Sequence, residues 1–286
     1  MHTEVLGKGK DLVFLHGWGG STDSFLGVAR RLCDNYRCIL IDLYGFGKTP
    51  LDRVMSLEDY ADGVEETLRH LQVTDAVIIG HSFGGRIATV LAARNPNYLR
   101  AIVLTDAAGL RPRKTWTHRW RRLKYRMRKA LGLSTAQCGS PDYKFLQGDM
   151  RKTFVQVVNT YLDDRLGDIR VPVLVVWGKQ DKETPPYMAR RLCKKIAQAG
   201  CVWLNGGHYA YIEEINTYVA VIRSFAGDVY AERMDSHADC GGGNPDVDGV
   251  ASDMECGAVT GVPIATCRED SDRDPTANTV GNSVCG

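Results

Sequence analysis

The chain has 286 residues, 44% of them hydrophobic, and a formal net charge of +2. That length accommodates one large α/β domain or two small ones, and the apolar fraction is ample for a buried core. No apolar stretch is long enough to span a bilayer, and the start, Met1-His2-Thr3-Glu4-Val5, lacks the basic and apolar regions of a secretory signal, so a cytoplasmic protein is expected.

The near-neutral total hides an asymmetry. Residues 227–286 hold 12 acidic and 3 basic side chains, whereas residues 1–226 hold 33 Lys and Arg against 22 Asp and Glu, so a basic body precedes an acidic tail. Cys33, Cys38, Cys138, Cys193 and Cys201 are scattered through predicted core elements without metal-ligand spacing and read as reduced thiols.

In chain order, Glu4 to Lys10 followed by Asp11-Leu12-Val13-Phe14-Leu15 predicts a hairpin whose second strand is fully buried. That strand runs into the glycine-rich turn His16-Gly17-Trp18-Gly19-Gly20, where His16 reads as a turn-stabilising side chain rather than a base. A helix is expected over 22–34. The strand Arg37-Cys38-Ile39-Leu40-Ile41 then ends in a turn from Asp42 to Pro50. Ser56-Leu57-Glu58-Asp59 is a capping signal, and Leu57, Tyr60, Ala61, Val64 and Leu68 recur at helical spacing over 57–71.

The next stretch organises the rest. Val77-Ile78-Ile79 is apolar and β-branched, Gly80-His81-Ser82-Phe83-Gly84 follows, and a helix-forming run covers Arg86 to Ala93, so the segment reads strand, sharp turn, helix. Ser82 stands at the apex. Flanking glycines suit a turn that strains the serine backbone, and the free N–H groups of the new helix point toward whatever the serine attacks. Asn95-Pro96 stops that helix, and Leu99 to Gly109 carries another buried strand. Strands alternating with helices at this spacing predict a mostly parallel sheet covered on both faces.

The pattern breaks over 111–160. Trp116, Trp120, Leu123, Met127 and Leu131 form an apolar stripe at helical spacing within a strongly cationic run, and a second helical run covers Met150 to Leu162. Three readings of the cationic face stay open: a solvated surface, a steering surface for anionic substrates, or a contact with anionic membranes. Nucleic acid is not an expected partner, because no recognition motif accompanies the run. Val173 to Trp177 resumes the sheet and leads to Asp181, while Cys201-Val202-Trp203-Leu204 leads to His208 before a last helix over 212–225.

The Gly80-His81-Ser82-Phe83-Gly84 stretch fits G-x-S-x-G between a strand and a helix, and three further motifs accompany it. They are His16-Gly17-Trp18, the D-x-x-G-x-G-x-[ST] turn at Asp42–Thr49, and W-G-x-x-D-x-x-x-P from Trp177 to Pro185. Over about residues 3–226 the chain therefore resembles the α/β-hydrolase superfamily, in the serine-nucleophile branch with a helical cap.

The resemblance implies an α/β-hydrolase fold: a mostly parallel central sheet with helices on both faces and a helical cap between strands 6 and 7. The core would comprise 1–110 and 165–226, the cap 111–164, and the remainder, 227–286, an acidic tail without regular structure. Members often carry an extra leading strand for which this chain begins too late. Ser82 is then the expected nucleophile, Asp181 the acid and His208 the base, with Asp106 as runner-up acid. The N–H groups of Trp18 and Phe83 would form the oxyanion hole, and the cap residues Trp116, Trp120, Leu123 and Met127 would contact substrate. No metal and no cofactor are expected. The implied activity is hydrolysis of small carboxylic esters through an acyl-enzyme. Carbon–carbon hydrolysis of vinylogous diketones is the alternative, and a non-catalytic ligand-binding protein on the same fold a further one. Oligomeric state is left open.

Overall fold

A computed structural model describes residues 1–113 and 145–238, with side chains of the last helix given up to Ala231. Trp116, His118, Trp120, Leu123, Met127, Leu131, Cys138 and the chain beyond Ala238 lie outside the described residues. The elements are β1 (Thr3–Leu6), β2 (Lys10–Leu15), α1 (Asp23–Leu32), β3 (Tyr36–Ile41), α2 (Leu57–His70), β4 (Ala76–His81), α3 (Phe83–Arg94) and β5 (Leu99–Thr105). From residue 145 onward come α4 (Gly148–Asn159), within the insertion, then β6 (Val173–Gly178), α5 (Tyr187–Lys195), β7 (Ala199–Leu204), α6 (Ala210–Glu213) and α7 (Ile215–Ala238).

The strands form one seven-stranded sheet in the order β1-β3-β2-β4-β5-β6-β7, parallel throughout except for β1. Successive side chains of a strand point to opposite faces, and the two faces have separate cores. Val13 and Leu15 of β2 join α2, α3 and α5 on one side, whereas Leu12 and Phe14 join α1 and α7 on the other. Burial on both faces explains why these strands read as continuous apolar runs. Chain order reverses between β2 and β4, since β3 lies on one side of β2 and β4 on the other. In an open parallel sheet the crevice at such a point, beyond the carboxyl ends of the strands, is where ligands bind.

Three expectations need correction. The first two strands do not form a hairpin: β1 pairs antiparallel with β3, Thr3 opposite Ile41, while β2 takes a central position between β3 and β4. The link between them turns at Gly7, with φ +73°, which lies directly on the backbone carbonyls of Cys33 and Tyr36 and carries the chain across the start of β3. A strand buried on both faces needs a neighbour on each edge, and a hairpin with β1 would have taken one of those edges from β3. Second, counted along the described strands, the insertion falls between the fifth and sixth rather than the sixth and seventh.

Third, the final helix does not stop near residue 226. It runs on through Gly227 to Ala238, because Val229 and Tyr230 still face the sheet and are buried. The Tyr230 hydroxyl accepts from the Val77 N–H at 3.2 Å and donates to the Asp11 carbonyl at 2.6 Å. Gly, Asp and the lack of a long period hid more than three further turns of helix. Among the described residues no helix is long and apolar enough to cross a membrane.

Candidate active site

The turn after β4 is tight for a steric reason. A Cβ at Gly80 would collide with the backbone of Gly84 and Gly85, and one at Gly84 with the Leu15 carbonyl at the end of β2. Only glycine lets α3 start this close to the sheet. Ser82 between them has φ 48° and ψ −103°, a conformation that costs an L-residue about 1–3 kcal/mol and persists only where its surroundings hold it. They do: its N–H donates to the Thr105 carbonyl at 3.0 Å, and its carbonyl accepts from Ala108 at 3.0 Å and from Arg86 at 3.3 Å. Phe83 is the first residue of α3, so its N–H has no acceptor within the helix.

The turn after β2 lies alongside. A Cβ built on Gly17 would come within 3.5 Å of the Ser82 Cβ. His16 is committed to this turn: its Nδ1 donates to the Gly17 carbonyl at 2.7 Å and its Nε2 accepts from the Leu43 N–H at 3.1 Å. Burial holds its pKa down, which keeps the ring neutral. The Asp42 carboxylate accepts from the N–H groups of Thr22 and Lys48 at 2.7 and 2.9 Å and faces His2 at 3.0 Å, tying three loop segments together. Burial pushes Asp42 up, and these donors outweigh it, so its pKa lies below the usual range.

Asp181 and His208 meet across the ends of β6 and β7. The His208 Nδ1 lies 2.8 Å from the Asp181 Oδ2, with both side chains nearly inaccessible. Around that carboxylate, Glu183 and Thr184 donate their N–H groups to Oδ1 at 2.8 and 3.0 Å, and the Thr184 hydroxyl donates to Oδ2 at 2.6 Å. Burial drives the Asp181 carboxyl up, but His208 and Thr184 more than offset it and leave the group below its ordinary pKa, hence ionised. Trp177 fixes the turn from below by donating Nε1–H to the Thr184 carbonyl at 2.8 Å.

His81 links this pair to the elbow. Its Nε2 donates to the His208 carbonyl at 2.8 Å, and the two rings stand 4.9 Å apart, so the loop bearing His208 is pinned to the residue before Ser82. Complete burial, then the neighbouring His208, pushes the His81 pKa down to about 3, so this ring is a neutral strut. This partner is 127 residues distant, beyond the reach of the local motif. Asp106 reaches the same region from β5, with Oδ1 accepting from the Gly178 N–H at 2.8 Å. Its backbone, like that of Ser82, has positive φ.

Above the elbow, Trp18 packs edge-on against Phe46, Phe83 and Phe154, at 5.0, 5.3 and 4.9 Å between ring centroids. Phe154 belongs to α4 of the insertion, and the helical period had not singled it out. Two polar contacts hold α4 in place: the Met55 N–H donates to the Thr153 hydroxyl at 3.0 Å, and the buried Arg86 donates to the carbonyls of Val157 and Thr160 at 2.9 and 2.8 Å. The arrangement brings a strained serine, the glycine-rich turn after β2 and a carboxylate-bound imidazole to the carboxyl ends of the parallel strands.

The model of the Alpha/beta hydrolase family matches residues 12–220. The chain belongs to this family. Among curated relatives, the chain is 25% identical over 257 residues to pimeloyl-[acyl-carrier protein] methyl ester esterase of Vibrio vulnificus strain YJ016, which covers 79% of the chain and 98% of the relative. Lipase 1 of Psychrobacter immobilis is 25% identical over 256 residues, 79% of each chain. Among solved structures, the meta-cleavage product hydrolase of Pseudomonas fluorescens IP01 superposes with a TM-score of 0.62 at 20% identity, covering 79% of this chain and 93% of that one. That structural likeness speaks for the α/β-hydrolase fold, which is common to chemistries as different as these. The sequence relatives support ester hydrolysis as the general activity.

Proposed function

We propose that the protein is a serine hydrolase that cleaves carboxylic esters through Ser82, His208 and Asp181. The observation that carries this reading is the buried 2.8 Å contact between His208 Nδ1 and Asp181 on a loop pinned to the elbow. An ionised Asp181 fixes the Nδ1–H tautomer and leaves Nε2 as the base. A serine hydroxyl is a poor nucleophile at neutral pH until such a base takes its proton.

In the first half-reaction the Ser82 Oγ bonds to the acyl carbon while its proton passes to Nε2, and the N–H groups of Trp18 and Phe83 hold the developing oxyanion. Each such donor contributes about 3–4 kcal/mol in comparable sites. The tetrahedral adduct collapses as the bond to the alcohol oxygen breaks, and the imidazolium returns its proton to that oxygen. Water then attacks the acyl-enzyme by the reverse sequence, with His208 again taking and returning a proton. The aromatic wall of Trp18, Phe46, Phe83 and Phe154 suits a small or medium apolar acyl chain, and the insertion over 111–164 acts as the cap.

The test is turnover of p-nitrophenyl esters from acetate to decanoate. Ser82→Ala should lower kcat by at least about 10⁴-fold and abolish labelling by a serine-directed phosphonate. Phosphonate labelling without turnover of any ester would replace this reading with hydrolysis of a carbon–carbon bond.

A further inference from the structure

The two ring nitrogens of His208 face two carboxylates in different surroundings. Nδ1 meets the buried Asp181, whereas Nε2 lies 3.4 Å from Oε2 of Glu183, whose side chain is 67% exposed. The position of Glu183 is fixed by the acid itself, because its N–H donates to Asp181 Oδ1 at 2.8 Å. One turn therefore supplies the carboxylate behind the imidazole and a second one in front of it. Tyr209, half exposed, stands edge-on to the His208 ring with centroids 5.5 Å apart.

Nε2 is the atom that hands its proton to the departing alcohol as the ester bond breaks. The alcohol part of the substrate therefore leaves past Glu183 and Tyr209, while the acyl part remains on Ser82, on the side of Trp18. A carboxylate beside an aromatic ring attracts an organic cation by charge and by the ring quadrupole, and repels an anion.

We propose that Glu183, with Tyr209 beside it, makes the leaving-group side of this site selective for positively charged alcohols. Esters of cationic alcohols are favoured over esters of anionic ones, whatever the charge of the acyl part. This rests on the ester-hydrolase reading above. Because Glu183 is exposed and screened, each charge step is worth about fivefold in kcat/KM at low salt, and less as salt rises.

The experiment uses one acyl group esterified to three alcohols of equal length: choline, its uncharged carbon isostere and a sulfonated alcohol. The same three leaving groups are also placed on a phosphonate that labels Ser82. Wild type should prefer the choline ester to the sulfonated one by well over fivefold, Glu183→Gln should bring that ratio close to one, and Glu183→Lys should invert it. Moving the charge to the acyl part should leave the effect of Glu183→Gln on the ratio small. An unchanged cation-to-anion ratio in Glu183→Gln, for turnover and labelling alike, overturns the proposal and leaves the hydrolase reading standing. Failure of every phosphonate to label Ser82 removes both.

Discussion

Asp106 directly follows β5 as a fully buried acid beside the Asp181 carboxylate. Burial first, and then the neighbouring Asp181 charge, pushes its pKa up to about 8 from an ordinary 3.8. The native state therefore keeps a proton that the unfolded chain releases throughout that window. Stability attributable to this group falls as pH rises from about 4 to about 8 and levels off above. Asp106→Asn has no proton to exchange, so its urea midpoint should fall less between pH 5 and pH 8 than that of wild type. Parallel pH dependence in the two proteins would show that Asp106 is ionised when folded. At this scale the placement of Ser82, Asp181 and His208 after successive strands was legible, because a recognisable local motif marks each turn. Glu183, Thr184 and His81 were not, since what they do depends on partners that only the folded sheet brings near.

Among the described residues, Arg86 ties the insertion to the core. It lies one turn into α3, directly after the elbow, and closes the carbonyl end of α4 with a buried guanidinium whose pKa burial lowers to about 10, so it stays charged. Arg86→Met would leave the carbonyls of Val157 and Thr160 without this donor, a loss of about 1–3 kcal/mol concentrated in that contact. The amides of α4 should then exchange with deuterium faster while those of α3 keep their protection, and KM should rise more than kcat falls. Uniform loss of protection over both helices would mean that Arg86 supports the core instead. Element boundaries were legible where capping chemistry marks them, as at Ser56, whose hydroxyl accepts from the Asp59 N–H while Asp59 accepts from the Ser56 N–H. The pairing of β1 was not legible, because a glycine link between two short strands reads as a hairpin whichever neighbour the first strand takes.

Across the whole molecule, α7 binds the two central strands of the sheet through Tyr230. Its hydroxyl is the acceptor for the N–H of Val77 in β4 and the donor to the carbonyl of Asp11 in β2. Tyr230→Phe leaves both backbone groups buried without their partner, and should lower stability by about 1–3 kcal/mol in chemical denaturation while turnover per folded molecule is kept. A change below about 0.5 kcal/mol would mean that water replaces the hydroxyl. A mostly parallel sheet covered on both faces was legible from apolar runs alternating with amphipathic ones. The extent of the last helix was not, because the tail's composition masks the turns that carry this tyrosine.

That tyrosine also has a bearing on how the protein is made. Its hydroxyl reaches across 219 residues of sequence to Asp11. Synthesis is vectorial, proceeding at about 5–20 residues per second. The first parallel strands emerge from the ribosome long before the helix that closes over them, and for that interval their apolar face waits uncovered. Contacts this remote in sequence slow folding and lengthen the exposure of such surfaces. A nascent chain stalled short of residue 230 is thus the form of this protein that a chaperone has most reason to hold, and release should follow translation of α7.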